Sequence, residues 1–135
     1  MSVMKFRVYD RYEKRMLRVN LIDIENEAVF DEDAKEWKSF IEVKIMQSTG
    51  MFDKNKKVIY EGDILKDRSG NLYIIYYNAP LYAYVLGKST KNDLYGHKNS
   101  DMISKIVMIG RGFNYEVVGN IYENRDLLEV KDGEL

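Results

Sequence analysis

The stretch EGDILKDRSGNLYIIYYN, residues 61–78, decides the fold. DILKD, residues 63–67, is a short strand, and DRSGN, residues 67–71, is a turn built on Gly70. LYIIYYN, residues 72–78, is a longer aromatic and β-branched run that suits a pleated sheet buried on at least one face. Strands joined by so tight a turn run antiparallel. Pro80 fixes φ and offers no ladder donor, so Asn78-Ala79-Pro80 marks a loop, and LYAYVLG, residues 81–87, follows as the next strand. MISKIVMIG, residues 102–110, and NYEVVGNIY, residues 114–122, add two more on either side of Arg111-Gly112. Five or so short strands with tight turns predict a small antiparallel barrel of the SH3-like type, which hides its edges by closure.

Upstream the pattern stays β. Met51-Phe52 and Val58-Ile59-Tyr60 flank the polar cluster Asp53-Lys54-Asn55-Lys56 and read as a hairpin, with Gly50 as a second turn signal. FIEVKIM, residues 40–46, alternates Phe40 or Ile41, Val43 and Ile45 with Glu42 and Lys44. KFRVYD, residues 5–10, alternates Phe6 and Val8 with Arg7 and Tyr9, and RMLRVNLIDI, residues 15–24, returns after the charged turn RYEK as its hairpin partner. Residues 25–39 admit either a strand with a loop or one helical turn capped by Asp31 or Asp33. ENRDLLEVKDGEL predicts a short helix capped at Asn124, with Leu127 and Leu128 folding back, and then a frayed tail. The expected architecture is mainly β with few short helices: an N-terminal antiparallel β segment, residues 1–58, packed on an SH3-like β-barrel, residues 59–135, tightly enough to count as one domain.

The composition narrows the chemistry. At 135 residues, 45% hydrophobic and 32% charged, the chain buries a core without disulfides. The absence of Cys excludes thiol nucleophiles, thiolate zinc sites and iron–sulfur clusters, and a lone histidine, His97, excludes metal sites that need two imidazoles. Twenty-one basic and 22 acidic residues leave a net charge of −1, so no global field favours nucleic acid or an anionic membrane. MSVMKFRVYDRYEKRM lacks the apolar core of a signal peptide, and no run approaches the ~20 apolar residues of a membrane span, so a cytoplasmic protein with no membrane partner is expected.

Three segments together resemble the YopX family of bacteriophage and prophage proteins. They are KFRVYDRYEKRM at the start, MQSTGMFDKNKKVIYEGDIL in the middle and YEVVGNIYENRDLLE near the end. The family pattern begins lysine–phenylalanine–arginine–x–(tryptophan or tyrosine)–aspartate, continues MQxTGxxDKNxxxIYEGDI and ends GNIYENPELLE. The match follows the same order over essentially the whole chain. Lys56 stands where the family commonly has glycine, which puts a positive-φ asparagine–glycine hairpin tip in doubt, and Arg125 stands where proline is usual. The resemblance implies a compact, mostly β protein with an SH3-like C-terminal barrel, encoded by phages or prophages in a bacterial cell and assembling into homo-oligomers. It supplies no active-site residue and implies no cofactor.

Glu61 and Asp63 flank Gly62, and two carboxylates so placed could hold Mg²⁺ or Ca²⁺ for a metal-dependent enzyme. Acids in a turn before a strand, however, most often bond backbone amides, and a glycine between them most often supplies a left-handed or bulge conformation. Asp53 and Asn55 mimic the start of a calcium loop, but residues 53–64 lack its later ligands. His97, in the polar loop 88–101, has no evident nucleophile beside it. A non-enzymatic module that binds itself and a further partner is therefore expected. The competing expectation is nucleic-acid binding through Tyr73, Tyr76, Tyr82, Tyr84, Lys88, Lys91 and Arg111, with tyrosines as stacking platforms and cations along phosphates. Gly50, Gly62, Asp63, Gly119, Asn120 and Tyr122 are read as marks of the fold.

Overall fold

The computed structural model describes residues 5–78, 83–88 and 114–128. Its strands are β1 (Phe6–Asp10), β2 (Arg15–Leu17), β3 (Val19–Asp23), β4 (Ala28–Asp31), β5 (Glu36–Ser39) and β6 (Val43–Phe52). They continue with β7 (Val58–Tyr60), β8 (Asp63–Lys66), β9 (Leu72–Asn78), β10 (Ala83–Lys88) and β11 (Glu116–Asn120), before a single 3₁₀ turn at Arg125–Leu127. The strands form three antiparallel sheets in the orders β2-β1-β6-β7, β3-β4-β5 and β10-β9-β8-β11. No helix among the described residues is long and apolar enough to cross a membrane.

One local device makes most of the turns. An aspartate opens each of five of them, and its carboxylate accepts amides two to four residues further on. Asp10 accepts from Tyr12 and Glu13, Asp23 from Asn26, Asp31 from Asp33 and Ala34, Asp53 from Asn55 and Lys57, and Asp67 from Ser69 and Asn71. Each turn then closes through a residue with positive φ: Lys14, Glu27, Lys35, Lys56 and Gly70. The Lys56 position, at +65°, thus keeps the left-handed tip although it is not glycine.

The sheets bury three clusters. Val8, Leu17, Val29 and Val43 form one between the β2-β1-β6-β7 sheet and the β3-β4-β5 sheet. Ile59, Leu65, Tyr73, Ile75, Leu86 and Tyr115 form the second, inside the C-terminal sheet, while Ile64 and Ile74 project from its other face and meet Leu128 beyond the 3₁₀ turn. β8 and β9 are therefore buried on both faces. β7 joins the halves: it pairs with β6, yet its Ile59 belongs to the C-terminal core.

The described C-terminal strands make an open, half-barrel sheet, and the strand expected at 102–110 lies outside the described residues. Residues 15–24 do not form one strand. They divide at Arg18 into β2 and β3, which pair in different sheets because Leu17 and Val19 both turn towards the same core. Residues 25–39 hold β4 and β5 instead of a helical turn, since Asp31 opens a hairpin. Residues 40–42 are a turn, and Ile41 is exposed while Val43 and Ile45 face the core. In β1 the outcome departs from simple alternation: Phe6 is exposed and Tyr9 is buried, the latter because the Tyr122 ring packs on it while Val8 faces the core on the other side.

Candidate functional site

The three segments that carry the resemblance meet in space. Arg7 of β1 reaches across the turn before β8, where its guanidinium donates to Asp63 at 2.5 Å and contacts the Glu61 carbonyl at 3.5 Å. Its plane lies over the Tyr60 ring, 4.7 Å from the centroid. The second Asp63 oxygen accepts the Tyr60 amide at 2.7 Å. Asp63 is fully buried, and burial raises its pKa above the ordinary aspartate value against the opposing pull of Arg7 and the Tyr60 amide. Gly62 takes φ +88°, and its carbonyl accepts the Ile121 amide at 2.9 Å. Tyr122, next in the chain, packs its ring on Tyr9 at 5.2 Å.

The GNIYEN motif is a nested turn. Asn120 accepts the amides of Tyr122 and Glu123 through Oδ1 and donates to Glu123 through Nδ2, while Asn124 Oδ1 accepts the Asn120 amide. Gly119 makes room for this, since a Cβ there would lie 2.6 Å from the Asn124 side chain. Asn124 thus precedes the 3₁₀ turn but bonds backwards, not into it. Gly50, at φ +80°, sits where the β6–β7 register shifts between Ser48 and Phe52.

Between β6 and the C-terminal sheet lies a cleft of about 280 Å³. Met46, Ile74, Ile75 and Ile121 give it an apolar floor, Tyr76, Tyr77 and Tyr122 line it, and Lys44 and Glu61 supply opposite charges. Tyr77 and Tyr84 pair across β9 and β10 with ring centroids 5.3 Å apart. Burial raises the Tyr84 pKa, and the negative charge of Glu61 and the neighbouring Tyr77 add to the shift.

Of the residues expected to form one tyrosine and lysine face, the described tyrosines of β9 divide between the two faces of their sheet. Tyr73 is only 3% exposed and belongs to the core, where its hydroxyl donates to Asp67, so it is not a stacking platform. Period-two alternation along β9 places Tyr76 on the opposite side of the sheet from Tyr73 and Tyr77, and Tyr84 packs against the core cluster. Lys88 ends β10; Tyr82, Lys91, Arg111 and His97 lie outside the described residues, as do residues 89–101 of the polar loop.

Two features escaped reading from the sequence. The first is an ionic cluster between the N-terminal sheets. Lys38 Nζ lies 2.5 Å from Asp10, 3.0 Å from Glu13 and 3.3 Å from Asp31, and Arg15 bonds Asp31 and Glu13. Burial disfavours the Asp31 carboxylate, but the Ala34 and Asp33 amides, Arg15 and Lys38 together bring its pKa down to about 2. The aspartates at the turn starts were the available signal; the cations that meet them come from other strands. The second is the outer face of the β3-β4-β5 sheet, where Phe30 and Trp37 pair in register with ring centroids 5.3 Å apart.

A search of curated proteins finds no match. Among solved structures the chain is similar to protein EF1440 from Enterococcus faecalis, at 29% sequence identity and a TM-score of 0.64, over 96% of this chain and 100% of that one. The family model described as YopX protein matches residues 5–129, nearly the whole chain, including all three segments that meet around Arg7, Asp63 and Tyr122. The chain belongs to the YopX family.

Proposed function

We propose that this protein is a non-enzymatic interaction module of phage or prophage origin, acting in the bacterial cytoplasm, whose copies associate through the outer face of the β3-β4-β5 sheet. The supporting observation is Trp37, the chain's one tryptophan, which is 52% exposed and edge-on to Phe30. Leu21, next to the inward Ile22, is also exposed on this sheet. The neighbouring cross-strand row on the Phe30–Trp37 face runs Asp23, Ala28, Ser39, with its one charge at the β3 edge. An apolar cluster bordered by the acidic Asp23 suits another of its kind better than a phosphate backbone, and a two-fold axis supplies that partner from the same sequence. Closure of the C-terminal sheet into an SH3-like barrel by residues 102–110 belongs to the same reading and leaves the N-terminal sheet as the face for assembly. Light scattering on the full chain is expected to give a multiple of 15.9 kDa, with Trp37 emission moving to shorter wavelength as concentration rises, and Trp37→Ser is expected to lower the mass. A concentration-independent monomer with unchanged emission overturns the proposal.

A further inference from the structure

Among the described residues, two partly buried charges are left without a partner, and the cleft holds both. Among the described residues, the partly or fully buried charged side chains are Arg7, Asp10, Arg15, Asp23, Asp31, Glu32, Lys38, Lys44, Asp53, Glu61, Asp63, Asp67 and Glu116. All of these have a side-chain hydrogen bond or ion pair except Lys44 and Glu61. A partly desolvated charge without a partner is a cost that folding has left in place. Both such charges line the same cleft.

Their separation restricts what could serve both. The Glu61 amide donates to the Gln47 carbonyl, so Glu61 lies beside Gln47, and Lys44 is three residues back along β6, about 10 Å at the strand's rise. Lys44 pairs in register with Tyr9, whose ring meets Tyr122, whereas the charge of Glu61 is felt at Tyr84. The cleft therefore offers a cation near Tyr122, an acceptor near Tyr77 and Tyr84, and apolar lining between them, with Tyr76 and Tyr77 bordering it from the two faces of β9. A small amino acid, whose charges sit on one carbon, cannot satisfy both ends. A flat heterocycle with N–H donors on one edge and an anion displaced to the other side can.

We propose that this cleft binds a nucleotide, with the base over the apolar floor among the tyrosines, a ring or exocyclic N–H donated to Glu61, and the phosphate on Lys44. The volume of about 280 Å³ suits one nucleotide, free or presented by a single strand. This cleft and the outer face of β3-β4-β5 lie on different sheets, so the inference is independent of self-association.

The test is ligand-observed NMR and calorimetry on the full chain with the 5′-monophosphates of adenosine, cytidine, guanosine and uridine, their nucleosides, and inorganic phosphate. At least one monophosphate is expected to bind saturably. Lys44→Met should weaken it about tenfold, the loss of one charge-assisted bond, and leave the matching nucleoside unaffected. Glu61→Gln should weaken nucleotide and nucleoside alike. Neither side chain has a partner in the fold, so both variants should melt with the parent. Competition by a short single-stranded oligonucleotide at lower concentration than the monophosphate assigns the nucleotide to a strand; its failure to compete assigns it to the free pool. No saturable binding of any monophosphate at millimolar concentration, or binding indifferent to both substitutions, overturns the inference.

Discussion

Replacing Asp53 by Asn should weaken the link between the β6–β7 hairpin and β11, which the Lys54 amide bond to the Tyr115 carbonyl shares, while leaving the hairpin itself intact. Asp53 is 4% exposed, and its two oxygens have different partners. Oδ1 accepts the amides of Asn55 and Lys57, both at 2.8 Å, and shapes the tip; Oδ2 accepts the amide of Val117, 64 residues away, at 2.9 Å. Asparagine keeps one acceptor. If it serves the tip, its NH₂ group confronts the Val117 N–H, and donor meets donor. The loss is then one charge-assisted bond and an unsatisfied amide, roughly 2–3 kcal/mol. Asp53→Ala also frees the two tip amides, but Asn55 and Lys57 are exposed and water replaces the carboxylate there, adding roughly 0.5–1 kcal/mol each. For 135 residues the unfolding entropy is about 0.28 kcal/mol per degree, so Asp53→Asn should lower Tm by about 7–11 °C. Thermal unfolding by circular dichroism measures the loss, and amide hydrogen exchange locates it at Val117. An Asp53→Asn protein within about 0.5 kcal/mol of the parent, with Val117 still protected, would refute the assignment of Oδ2 as a tie between hairpin and sheet.

Lys56→Gly should stabilise the protein by about 0.5–1 kcal/mol in urea unfolding, because Lys56 holds φ +65° at an exposed tip where glycine carries no Cβ penalty; a destabilised variant would contradict this. Acid should unfold the chain chiefly between about pH 4 and pH 2. Despite burial, hydrogen bonds and cations keep Asp10, Asp31, Asp53 and Asp67 below the ordinary value of 3.8, Asp31 at about 2, so their stabilisation is present above pH 3.8 and is lost as pH falls through the folded values. Asp63, held above that value mainly by burial, adds stability as pH falls towards 3.8 and almost none below it, so urea midpoints that stay constant or rise from pH 4 to pH 2.5 would contradict the role given to the four aspartates.

Much of the β architecture was legible because its signals are local. Alternation and β-branched residues mark the strands, and an aspartate followed by a left-handed residue marks the turns, as in DKNK at 53–56 and DRSG at 67–70. DEDAK at 31–35 carries the same signal, yet its acidic run also suits a helix cap, so the sequence left open what the Phe30–Trp37 pairing settles. The candidate site was less legible. The tyrosines of β9 were counted together, but the sheet divides them between its two faces, and burial on both faces takes Tyr73 into the core. Glu61 attracted notice as a carboxylate beside Asp63; its distinction is instead that Asp63 is held by Arg7 and the Tyr60 amide while Glu61 faces a cleft.

By itself the sequence determined most of the strands and turns, the absence of thiol chemistry and the family, since each depends on residues a few positions apart or on an ordered set of motifs. Only the tertiary structure decided what those motifs do. Arg7 finds Asp63 across 56 residues, Asp53 finds Val117 across 64, and Lys38 gathers three acids from two other segments. Which charges are neutralised by the fold and which are left facing a cleft depends on how sheets cross in space, and a one-dimensional pattern carries no record of that distance.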